Sequence, residues 1–175
     1  MTFKNLQIDT DDLPQTADLK MEPMAPAYLR EVLTQQLITS GILLLASLIS
    51  YLAGIGPESL NKYLVLLPLV VSLLVLLFIP LNIKQVRIKA VALRDHDIAY
   101  RSGLFFRKTV MLAFNRVQHI EVTVGPLQRR FGLASLKFFT AGGSAVDLKI
   151  DGLMLERAEQ LREYILERSG NRGKS

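Results

Sequence analysis

Between Tyr63 and Ile83 the chain runs for 21 residues without a charge. As an α-helix such a run rises about 31 Å, enough to cross a hydrocarbon core of about 30 Å. Lipid offers no hydrogen-bond partners, so the backbone of a segment like this must pair with itself, and a helix does so completely. Leu37 to Ala53 gives a second uncharged run of 17 residues, interrupted only by small polar side chains and lengthened by Gln36 and Ile55 at its ends. A cleaved signal peptide is a poor reading of this run. It would open on a short basic region, whereas here 36 residues with six acids and three bases precede it. Nine residues, Gly54 to Lys62, join the two runs and contain Gly54, Gly56 and Pro57. They predict a tight connection and an antiparallel helical hairpin over residues 31–83, with spans at about 37–53 and 63–83. Ala46, Ser50 and Gly54 recur at every fourth position and form a small-residue stripe against which the second span can pack. Pro68 predicts a kink there.

Basic residues set the expected orientation, because cytoplasmic flanks carry more Lys and Arg. Lys84, Arg87, Lys89 and Arg94 follow the second run, Lys20 and Arg30 precede the first, and the joining loop holds only Lys62. The expectation is a multi-pass protein of the inner (plasma) membrane with both termini cytoplasmic. The lack of cysteine agrees with that compartment. Charge also divides the chain: residues 1–36 are net −3 and residues 84–175 net +8. Residues 1–30, with Asp9, Asp11, Asp12, Asp18 and three prolines, read as a flexible acidic tail, and residues 169–175 as a flexible basic one.

Residues 84–168 carry strand signals. Val86 and Ile88 alternate with Arg87 and Lys89 and open a strand directly at the membrane surface. Asp95-His96 turns, Ile98 and Tyr100 continue, and Ser102-Gly103 turns again into Leu104 to Phe114. Ile120, Val122 and Val124 alternate until Gly125-Pro126 stops the ladder, and Leu127 to Leu133 cross over as a compact turn. The strand from Ala134 meets a Gly142-Gly143 hairpin turn before Val146, Leu148 and Ile150. Met154, Ala158, Leu161 and Ile165 then fall at helical spacing from Leu153 to Arg168, with Asp151 placed as an N-cap. The fold class is an α+β membrane protein: a transmembrane hairpin, then a mainly β domain built as a bent sheet or partly open barrel closed by a C-terminal helix. About 90 residues of this pattern enclose a small core, so residues 84–175 are expected to fold without the spans.

Four ordered pieces, Arg116 to His119, Gly125 to Leu127, Arg129 to Ala134 and Thr140 to Gly143, resemble the bacterial pleckstrin-homology-like (PH-like) domain of YdbS-like membrane proteins. The likeness extends over the arrangement of two spans and one such domain, roughly residues 30–168. It implies a PH-like fold and a companion membrane protein carrying several related domains. This chain departs from the family's usual look in having no Trp, so anchoring by indole rings is not available to it.

Catalysis finds little to work with. His96 stands between Asp95 and Asp97, but three adjacent turn residues point apart and no Cys or second nearby His completes a metal site. His119 shares a strand face with Glu121 and Thr123, with no nucleophile matched to it. No phosphate-loop pattern surrounds Gly142-Gly143. The sequence therefore predicts no catalytic residues, no metal, no cofactor and no small-molecule substrate, and a tethered chain without nucleic-acid motifs predicts no nucleic acid. The candidate contacts are two basic pairs beside aromatics: Arg107 and Lys108 after Phe106, and Arg129 and Arg130 before Phe131. Beside an anionic leaflet each such residue contributes on the order of 1 kcal/mol. The expected function is a noncatalytic membrane-anchored binding or scaffolding module whose partners are the bilayer, a related membrane protein or further copies of itself. Recognition of an anionic lipid headgroup is the alternative, followed by an enzyme with a site shared across an oligomer.

Overall fold

A computed structural model describes residues 19–54, 57–140 and 146–170. Asp9, Asp11, Asp12, Asp18, Gly56 and the Gly142-Gly143 turn lie outside the described residues. Two long helices come first. Helix α1 (Pro26–Ala53) starts on a proline at its first turn and stops at Gly54, whose φ of 57° is the left-handed conformation of a helix C-terminus. Helix α2 (Glu58–Leu77) runs antiparallel to it and stays helical through Pro68. Pro80 has no N–H to give Leu76, so the ladder breaks at Phe78 and restarts as α3 (Ile79–Ile88).

The hairpin is turned inside out relative to a soluble protein. Leu45, Leu52, Leu67, Leu73 and Leu77 face outward, whereas Ser40, Ser47, Ser50 and Ser72 are buried. The Ser40 and Ser72 hydroxyls lie 2.6 Å apart, Ser47 donates to the Val65 carbonyl at 2.8 Å, and Gln36 donates to the Val75 carbonyl. That is the arrangement lipid demands, with apolar groups outside and hydrogen-bonded polar groups against the partner helix. Ala46 is exposed, so the expected Ala46, Ser50 and Gly54 stripe is not the seam. Contacts between the helices follow Gln36, Ser40, Ser47 and Ser50, because antiparallel packing selects the roughly 3.5-residue repeat.

Among the described residues the soluble part holds seven strands in two sheets. Strands β1 (Glu22–Pro23), β2 (Ala90–Leu93), β3 (Asp97–Ser102) and β4 (Lys108–Ala113) form one antiparallel sheet in that order. Strands β5 (Val117–Thr123), β6 (Leu133–Thr140) and β7 (Leu148–Met154) form the other. A short helix α4 (Pro126–Arg130) joins β5 to β6, and α5 (Leu155–Gly170) ends the described chain. Ala158, Leu161 and Ile165 of α5 are buried with Phe114, Val117, Ile120, Leu136 and Phe138, so the helix closes the core between the sheets.

Several sequence expectations need correction. The segment before residue 30 is not all tail: β1 pairs with β2, and Met24, Ala27 and Tyr28 belong to the domain core. The aspartates upstream dominated its composition and masked these residues. Val86 and Ile88 are helical, because four alternating residues fit either period and α3 simply continues. Leu104 to Arg107 form a loop and the strand begins only at Lys108. Asp151 lies within β7 and caps nothing; α5 starts at Leu155, and Met154 ends the strand half-exposed.

Candidate functional site

Strand β2 leaves α3 after the single residue Lys89, so the Ala90 end of this sheet is the one that faces the helices. In register, Ala90 pairs with Arg101 and Ser102 with Lys108, which places the β3–β4 loop at that same end. Gly103 makes the loop possible: its φ is 97°, and a Cβ there would sit 2.0 Å from the Phe106 carbonyl oxygen. Phe105 and Phe106 stand 81% and 91% exposed at the tip, followed by exposed Arg107 and Lys108. Arg107 also lines a cavity of about 730 Å³ together with Arg87 of α3 and Arg101 of β3.

The second basic pair sits elsewhere. The Gly125 N–H donates to Gln128 Oε1 at 2.9 Å, which closes the first turn of α4 and fixes where Arg129 and Arg130 emerge. Gln128 Nε2 donates to Ser135 Oγ at 2.9 Å, and Ser135 donates in turn to Asp151 Oδ1 at 2.6 Å. Lys149 approaches the same carboxylate at 2.9 Å. Burial alone would raise the Asp151 carboxyl, but the hydrogen bonds from Ser135 and Lys149 and the charges of Lys149 and Lys89 hold it below its usual range. Arg130 borders a crevice of about 600 Å³ between α4 and α1, shared with Glu31, Gln35, Ile38 and Leu127. Glu31 is buried, and its Oε2 has no hydrogen-bond partner among the described residues. Arg107 and Arg130 thus border different cavities that share no residue, whereas Lys108 and Arg129 line neither.

His119 is exposed with its Nε2 3.8 Å from Glu121, and His96 lies in the turn before β3. Among the described residues no three His, Cys, Asp or Glu side chains stand close enough to hold a metal. Sequence reasoning missed Arg87, Arg101 and Glu31. Arg101 and Thr109, eight positions apart, are brought side by side by the β3–β4 register, whereas Arg87 was hidden by reading α3 as strand.

A pair of spanning helices welded to a two-sheet domain closed by a helix defines a membrane-anchored PH-like module, and the chain belongs to the Bacterial PH domain family, whose profile matches residues 39–169. It is similar to UPF0699 transmembrane protein YdbS of Bacillus subtilis (strain 168), with 37% identity over 71 residues, which are 41% of this chain and 43% of that protein. It is also similar to UPF0699 transmembrane protein YdbT of the same organism, with 26% identity over 81 residues, 46% of this chain and 16% of that protein. The chain therefore spans less than half the length of these curated relatives. No solved structure matches it.

Proposed function

We propose that the chain is a noncatalytic, membrane-anchored scaffold whose PH-like domain assembles with a larger membrane protein carrying related domains. The observation that carries this reading is the double attachment of the domain. Met24 and Tyr28 root α1 in its core while α3 passes into β2 through Lys89, so its binding surfaces are held at a fixed height and angle. The similarity to YdbT supplies the kind of partner, since the related 81 residues make up only 16% of that longer protein. Both attachments enter the same side of the hairpin, and the excess of bases there over Lys62 in the joining loop supports a cytoplasmic domain. On this reading Arg107 and Lys108 meet the anionic leaflet, whereas Arg129 and Arg130, beside the α1 crevice, are open to a neighbouring protein in the membrane.

Purification of the full chain after gentle solubilisation tests the proposal. A second membrane protein with bacterial PH domains should come with it in constant ratio, and Arg129→Glu with Arg130→Glu should reduce that ratio about tenfold or more, as expected for reversing guanidinium pairs. A full chain that purifies alone under the same conditions overturns the reading.

A further inference from the structure

The end of the four-stranded sheet that faces the membrane helices carries an unusual row. Pro23, Ala90, Arg101 and Thr109 are successive register partners across β1, β2, β3 and β4, and all four line one cavity of about 730 Å³. Arg107 stands two residues before Thr109 on β4's approach, and Arg87 enters from the last turn of α3. Three arginines therefore line one space with a threonine and no acidic residue. Among the described residues none of the three has a carboxylate within 4.0 Å. The nearest acid on β1, Glu22, is turned away and paired with Arg157 at 3.2 Å. Like charges gathered without a counter-ion repel one another, and a bound anion with several acceptor oxygens removes that repulsion. Guanidinium forks fit the oxygens of a phosphate in pairs, which a single ammonium cannot imitate.

We propose that Arg87, Arg101 and Arg107 form a phosphate-binding pocket, and that its ligand is a phosphate ester at the bilayer surface. The chemistry is shared by an anionic lipid headgroup and a soluble phosphate, and Phe105 and Phe106 favour the lipid. Their rings stand free at the mouth of the loop that carries Arg107, on the side of the sheet facing the helices. Apolar rings placed beside cationic groups match the division between acyl chain and headgroup. The lipid source rests on the membrane-facing orientation used above, whereas the pocket itself does not.

The full chain, purified in detergent, is titrated with short-chain phosphatidylglycerol, short-chain phosphatidylcholine and inorganic phosphate, and the shift in melting temperature is read. Phosphatidylglycerol should stabilise it, phosphatidylcholine less so, and added salt should weaken the effect. Arg101→Gln and the exposed-site variant Arg87→Gln should each weaken apparent affinity about tenfold or more, as loss of a charge-assisted hydrogen bond predicts. Arg116→Gln, at an exposed position past the opposite end of β4, should leave it within about twofold, the change expected at an exposed charge. Inorganic phosphate acting as strongly as the lipid assigns the pocket to a soluble ligand. Phe105→Ser with Phe106→Ser should weaken the lipid response and spare the phosphate response; equal lipid response would sink the membrane-facing orientation while the pocket stands. No shift with any probe, or Arg87→Gln and Arg101→Gln behaving like the unmodified chain, overturns the pocket.

Discussion

At the scale of single residues, Gly152 and Tyr28 show how the domain grips its membrane helix. Gly152 lies in β7 with φ 83°, and a Cβ there would come within 2.3 Å of Tyr28 Cγ. The Ala25 N–H donates to the Gly152 carbonyl at 3.1 Å, and Lys89 Nζ donates to the Tyr28 hydroxyl at 2.7 Å. The tyrosine ring is thus laid flat onto a strand that only glycine allows it to approach. Gly152→Ala should destabilise the full chain by about 2 to 4 kcal/mol, combining a strained positive φ with overpacking. Thermal melting in detergent checks it, and an unchanged midpoint would mean Tyr28 does not pack there in solution. None of this was legible in the sequence. A glycine inside a strand pattern reads as a weak point, and its reason for being there stands on a different element far earlier in the chain.

At the scale of elements, legibility followed burial. The alternation of Leu148 and Ile150 reported a strand correctly because both side chains lie on an enclosed face. Ala158, Leu161 and Ile165 reported α5 for the same reason. Where burial was partial the pattern misled: around Val86 only one side chain is enclosed, and helix and strand periods agree over so short a stretch. The basic pairs were legible as candidates, but the placing of Arg107 and Arg130 on two separate cavities was not, since it depends on how the β3–β4 loop and α4 sit against the helices. Leu161→Asp sets the strength of the α5 closure. It puts an unpaired carboxylate on a fully enclosed position and should cost about 4 kcal/mol or more. Loss of a cooperative transition in the soluble part is the expected result, and an unaltered melt would show that α5 does not seal the core.

At the scale of the whole molecule, the boundary between membrane part and soluble part does not coincide with the chain position where the spans end. Met24, Ala27 and Tyr28 lie in the core, just before and within the first turn of α1, so a fragment of residues 84–175 lacks part of its own interior. At about 1.5 to 3 kcal/mol for each large buried side chain, the loss rivals the entire stability of a small domain. The fragment should therefore melt without cooperativity, and restoring residues 19–35 ahead of it through a flexible linker should return a sharp transition. A sharp transition in the bare fragment would contradict this and restore the reading of residues 84–175 as self-sufficient. The same double rooting has a mechanical side. Spanning helices tilt when the bilayer thins or thickens. A domain on a floppy tether would ignore that motion, but here α1 enters the core directly and α3 is separated from β2 by one residue. With no slack at either joint, the sheet end bearing Phe105 and Phe106 must swing as the helices lean, and on the orientation proposed above bilayer thickness is then geared to how deeply that edge dips toward the headgroups.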